Sequence, residues 1–186
     1  MWNSQVIVML LEGIRDTLYM TLASTLFGYI IGLPMGIVLT VTDKDGIRPN
    51  AAVYKVLDVI SNLLRSIPFI ILLIVLIPFT RFVVGRSYGS TATIVPLTIA
   101  AAPYIARMVE SSLKEVDAGV IEAARSMGAS DFQIVTRVML VEARTSLIVG
   151  ATISLGTILG YSAMAGTVGG GGLGDIAIRY GYTRWQ

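Results

Sequence analysis

Charged residues are spaced unevenly along this chain. They are absent from residues 17–42, 66–80, 87–106 and 145–174. A helix needs about 20 mostly apolar residues to cross the hydrocarbon core of a bilayer. The pattern therefore predicts four membrane spans, at about residues 17–41, 56–80, 91–108 and 146–165. The first carries Gly28, Gly32 and Gly36 at intervals of four, a ridge of small residues that lets another helix approach closely. Pro34 within that ridge predicts a kink. Arg65 lies near the start of the second span and Arg81 just beyond its end. Arg65 reads as a snorkelling or pairing residue at an interface in preference to a substrate contact. Pro96 and Pro103 fall inside the third span, and Gly156 and Gly160 form a second close-packing pair in the fourth. Kinked, irregular helices suit a membrane part that moves or lines a cavity.

The segments between spans are polar. Asp43, Lys44, Asp45, Gly46, Arg48 and Pro49 mark residues 42–55 as a loop, and residues 82–90 read as a short glycine-containing one. The longest polar stretch, 109–144, has a helical pattern. Asp117 is placed to cap a helix whose apolar positions are Val120, Ile121, Ala124 and Met127. Gly128 supplies a left-handed stop, and Ser130-Asp131-Phe132-Gln133 matches a capping box that opens a second helix. Two short amphipathic helices meeting at Gly128 form a surface suited to docking.

Composition narrows the function. The chain of 186 residues is 54% hydrophobic and 14% charged, against about 25% charged for a soluble domain, and its mean hydropathy is +0.75. With no Cys and no His there are no disulfides, thiolate or imidazole metal ligands, Cys nucleophiles or Ser-His dyads. The 14 basic residues are scattered among 12 acidic ones, which gives no nucleic-acid footprint. Four spans leave no room for a soluble catalytic domain, so the chain is not read as an enzyme. Residues 1–5 hold no Lys or Arg and the apolar stretch 6–11 stops at Glu12, so the start is not expected to be a cleavable signal. Residues 42–55 and 107–144 carry more Lys and Arg than the remaining polar segments. The positive-inside rule then puts the N-terminus outside and the docking helices in the cytoplasm.

The sharpest motif is Glu122-Ala123-Ala124-Arg125-Ser126-Met127-Gly128. It resembles the EAA loop of ABC importer permeases, whose short coupling helix enters a groove on the ATPase subunit. By that resemblance Glu122, Ala123, Ala124, Met127 and Gly128 are the ATPase-coupling residues. The family pattern continues to Ile-x-Leu-Pro, and here reads Val138-Met139-Leu140-Val141; Val141 replaces the proline that breaks the helix before the next span. The resemblance runs from about Gly13 to Tyr182. Arg65-Ser66-Ile67-Pro68-Phe69, Ala101-Ala102-Pro103-Tyr104-Ile105-Ala106-Arg107-Met108-Val109-Glu110 and Gly160-Tyr161-Ser162-Ala163-Met164 are similar to the methionine-type permeases of that family. Its members carry a fifth span after the tail, so this chain is a fragment or a shortened member.

Residues 169–174 formally satisfy G-x-G-x-x-G, but that fingerprint binds a dinucleotide only between a strand and a helix. No Walker A sequence occurs either. The resemblance implies a flexible external segment near the gate and the binding-protein dock; the residues alone read as a plain loop. Tyr161, Ser162 and Met164 are candidates for the translocation path, since Met is polarizable and Tyr has a polar tip. Helix packing is the competing reading for each. By the resemblance, Met164 lies at the gate.

The resemblance implies an all-α membrane protein, a type I ABC importer permease-like bundle. One transmembrane domain would span residues 1–186, with the coupling segment at 109–144. It implies a bacterial inner-membrane homodimer with two ATPase subunits inside and an extracytoplasmic methionine-binding protein as donor. ATP and magnesium would belong to the ATPase and no cofactor to this chain. Methionine would pass by alternating access, with regulation in the ATPase. Another small amino acid or an osmolyte is the alternative cargo. An ion-coupled secondary carrier is the more distant alternative, since the spans lack acidic residues and show no internal repeat, and a non-transporting scaffold is a further one.

Overall fold

The computed structural model describes residues 4–183, and among these every regular element is helical. The long helices are α1 (Ser4–Thr42), α5 (Ser90–Lys114) and α9 (Arg144–Ala165). Between them lie α2 (Ala51–Ser66), α3 (Phe69–Val75), α4 (Ile77–Val84), α6 (Ala118–Ser126), α7 (Asp131–Gln133) and α8 (Leu140–Glu142), with α10 (Gly172–Ile176) near the end.

Three helices are long and apolar enough to cross a membrane, and a fourth span results if the broken pair α2 and α3 counts as one. At 1.5 Å per residue, the 39 residues of α1 reach about 58 Å, well beyond the roughly 30 Å hydrocarbon core. The helix starts far ahead of the predicted residue 17 because Glu12, Arg15 and Asp16 end an apolar run without ending a helix. It also runs through Pro34 without interruption.

The expected second span, 56–80, is not continuous. It breaks at Ile67-Pro68, where Pro68 takes extended backbone (φ −54°, ψ 133°) ahead of α3. Proline disfavours the helical conformation in the residue before it, a local effect that the continuous hydropathy conceals. After Leu76 the chain enters α4, which closes on Gly85 in left-handed backbone.

The described chain divides into two compact units, residues 4–28, 67–101 and 155–183 in one and 29–66 and 102–154 in the other. In the first, Met20, Phe69, Leu73, Leu97 and Ala165 form a buried apolar cluster, with Tyr161 packed against it. In the second, Ile105, Val109 and Leu113 lie buried along one row of α5, and α1 comes against that row. A Cβ on Gly32 would sit 2.6 Å from the Ala102 carbonyl oxygen, and one on Gly36 2.6 Å from that of Ala106. These are the small-residue positions that the spacing of four predicts.

The glycine run after α9 is not the plain loop that its residues alone suggest. A 3-10 turn (Gly166–Val168) leads through left-handed Gly169 and Gly171 into α10. The Leu173 N–H donates to Thr17 Oγ1 at 2.9 Å, and Thr93 Oγ1 donates to the Gly170 carbonyl at 3.3 Å. A Cβ on Gly174 would fall 2.2 Å from the Ala163 carbonyl oxygen. Missing side chains here allow backbone to lie on backbone, so the glycines build a packed turn.

Candidate functional site

The two short helices that meet at Gly128 form where the sequence predicts them. Asp117, in extended backbone, accepts a hydrogen bond from the Gly119 N–H at 2.7 Å and opens α6. At the other end the Gly128 N–H donates to the Arg125 carbonyl at 3.0 Å, and the Ala129 N–H to the Ala124 carbonyl at 3.1 Å. That pair is a Schellman motif, which requires its closing residue to be left-handed; Gly128 has φ +82°. Ser130 and Gln133 then make the reciprocal capping box of α7. From Ile134 to Met139 the turns widen to π-helical form, which seats Ile134, Val135 and Met139 inward. A break before α9 remains despite Val141: Ala143 leaves helical geometry (φ −77°, ψ 0°) between α8 and α9.

Of the five coupling candidates, Glu122, Ala123, Met127 and Gly128 are exposed, whereas Ala124 is buried beneath them. Met127 is 81% exposed and Phe132, across the turn at Gly128, 76%. Phe132 was not among the sequence candidates. Its signal in the sequence is an aromatic residue inside the polar first turn of the capping box, at Ser130-Asp131-Phe132-Gln133. Two large apolar side chains therefore stand exposed on either side of the turn.

Behind this surface an ionic network ties the second unit together. Arg107 pairs with Asp58 and, at 2.7 Å, with Glu110. Glu110 accepts in turn from Lys114 at 2.8 Å and from the Tyr54 hydroxyl at 3.3 Å. Lys114 also reaches Asp43 at 2.5 Å, and this hydrogen bond holds the Asp43 carboxyl below the usual carboxylate range. Arg65 is exposed in the last turn of α2, where its cation faces the negative end of the helix dipole.

The path candidates do not share one face. The Tyr161 ring stacks on Phe69. Ser162 is 1% exposed, and its hydroxyl donates to the Leu159 carbonyl at 2.7 Å. Met164 is 46% exposed, and a Cβ on nearby Gly160 would meet nothing within 4 Å. Only Met164 of the three therefore presents its side chain outward. Among the described residues no group of His, Cys, Asp and Glu side chains is placed to hold a metal ion.

The model of the inner membrane component of binding-protein-dependent transport systems matches residues 17–184. The chain belongs to that family. It is accordingly an integral inner-membrane permease component of an ABC transport system. The probable D-methionine transport system permease protein MetI of Vibrio cholerae serotype O1 is 48% identical over 178 residues, covering 96% of this chain and 79% of the relative. The D-methionine transport system permease protein MetI of Escherichia coli (strain K12) is 55% identical over 158 residues, covering 85% of this chain and 73% of the relative. An inward-facing conformation of the MetNI methionine ABC transporter superposes with a TM-score of 0.97 at 51% identity, over 100% of this chain and 86% of that one. An amino acid ABC transporter crystallised with histidines superposes with a TM-score of 0.76 at 20% identity, over 100% and 86% respectively. That last likeness is one of fold.

Proposed function

We propose that this permease carries methionine inward as one half of a homodimer driven by two separate ATPase subunits. ATP and magnesium belong to those subunits, and an extracytoplasmic binding protein delivers the substrate. In this reading the N-terminus lies outside, and α6 and α7 face the cytoplasm. The observation that carries it is the turn at Gly128, where Met127 and Phe132 stand open on either side and Glu122 is exposed earlier on α6. Apolar anchors rimmed by charge fit a groove on a partner surface. Identities of 48–55% with D-methionine permeases supply the cargo.

The chain performs no bond chemistry. ATP-driven approach of the two ATPases moves the paired docking helices, and α5 and α9, which flank them in sequence, carry that motion into the membrane. Met164, the outward-facing member of the path candidates, lines the route, with the stacked Tyr161 behind it and Ser162 bonded within its own helix. A mild-detergent pull-down of the tagged permease from its native membrane, with ATPase assayed on the eluate, tests the assembly. Uptake of labelled methionine by vesicles containing the complex tests the cargo. An ATPase at equal stoichiometry and saturable methionine uptake are expected. An eluate without ATPase overturns the docking assignment, and uptake of other amino acids in preference to methionine overturns the cargo.

A further inference from the structure

We propose that the loop between α1 and α2, residues 43–50, is a second lever on the docking helix, with Arg125 as its positioning residue. The proposal rests on reading α6 as the helix that meets the ATPase.

The loop is stiff at both ends. The Arg48 N–H donates to the Val41 carbonyl at 3.0 Å and the Asn50 N–H to the Thr42 carbonyl at 2.9 Å, which fold the loop back on the end of α1. Asn50 Oδ1 accepts from the Val53 N–H at 3.1 Å in the first turn of α2. Gly46 lies so close to α1 that a Cβ would sit 2.4 Å from the Val41 carbonyl oxygen and 2.5 Å from that of Thr40. A force applied to this loop is thus delivered to both helices.

Two polar bonds apply that force. Arg125 Nη2, on α6, donates to the Ile47 carbonyl at 2.9 Å. Lys114, three residues before the Asp117 cap, holds Asp43. Between the loop and α6 is a cavity of about 590 Å³ whose lining includes Ile47, Ile121 and Glu122. Solid packing would transmit displacement through many contacts. Where a cavity intervenes, the Arg125 bond carries the load from α6, and the Lys114 bond carries that from the adjoining end of α5. Lys114 extends the connection through Glu110 and Arg107 to Asp58 on α2. Displacement of α6 therefore reaches the loop between α1 and α2 directly through Arg125, bypassing the covalent links through α5 and α9. The Lys114 network ties the end of α5 to the same loop and to α2.

The test uses the permease–ATPase complex in lipid vesicles, with copurification of the ATPase verified before each assay. Methionine uptake and ATP hydrolysis are measured on the same vesicles for Arg125→Met, Arg125→Lys and Asp43→Asn. For Arg125→Met, hydrolysis continues while methionine carried per ATP falls about fivefold or more, the low end of coupling between linked sites. Arg125→Lys, which keeps a donor, recovers most of that ratio, and Asp43→Asn lowers it as well. An unchanged ratio in Arg125→Met, whether both activities fall together or neither does, overturns the proposal. Should that variant fail to assemble, an unchanged ratio in Asp43→Asn overturns it instead. Absence of ATPase from the wild-type complex overturns the reading of α6 itself, and is recognised before any variant is assayed.

Discussion

The rings of Tyr161 and Phe69 lie flat against each other, with centroids 4.8 Å apart and planes inclined by 7°. The stack joins α9 to α3 over the buried cluster of Met20, Leu73, Leu97 and Ala165, just after the Ile67-Pro68 break. Because α3 is only 7 residues long, it holds its place by such contacts and not by its own helical cooperativity. We predict that Tyr161→Ala lowers thermal stability in detergent and methionine uptake together. Tyr161→Phe, which keeps the stack, should leave both near wild type, since ring pairing contributes about 1 kcal/mol beyond burial. Full stability in Tyr161→Ala would make the stack incidental.

Gly128 is constrained by backbone angle and not by crowding: its φ is +82° and nothing lies within 4 Å of an added Cβ. Left-handed backbone costs a residue with a side chain roughly 1–2 kcal/mol, and asparagine less than most. Gly128→Val should reorient Met127 and Phe132 and abolish copurification of the ATPase while the permease still inserts. Gly128→Asn should retain the partner. Glu122→Arg should also release the ATPase, through charge at the exposed rim. Normal recovery of ATPase with both Gly128→Val and Glu122→Arg would sink the docking assignment.

The Asp43–Lys114 pair gives a pH signature. Lys114 lowers the pKa of Asp43 below its ordinary 3.8, so the folded state prefers the ionised carboxylate. The stabilisation is fully present above that ordinary value and is lost as pH falls through the lowered one. Thermal scans between pH 5 and 3 should show a steeper loss of stability in wild type than in Asp43→Asn, with the two converging at the acid end. Parallel curves would remove Asp43 from the account.

Met164 is the one path candidate with an open side chain. Met164→Ala should alter uptake rate or the preference among amino acids without changing ATPase recovery. Ser162→Ala, at a buried hydroxyl satisfied within its own helix, should change uptake little. Identical uptake by Met164→Ala across several amino acids would demote Met164 to packing.

The parts legible in the sequence were those governed by neighbours in the chain. Four apolar segments, the Asp117 cap, the stop at Gly128 and the Ser130–Gln133 box all depend on bonds spanning two to five residues, so residue type and spacing were enough. Local rules also contained the break at Ile67-Pro68, but an uninterrupted hydropathy run hid it. The ridge of Gly32 and Gly36 announced a close approach without naming its partner.

Tertiary structure decided everything that required a distant group. The glycine run after α9 carries no local bonding signal. Its shape comes from Thr17, 156 residues from Leu173, and from the Ala163 carbonyl pressed against Gly174. Helical periodicity separates Ser162 from Met164, but only packing determines which of them faces inward. The hold of Arg125 on Ile47 across 78 residues had no counterpart in any motif. A surface arginine has many possible partners along a chain, and only the folded backbone brings one carbonyl within reach.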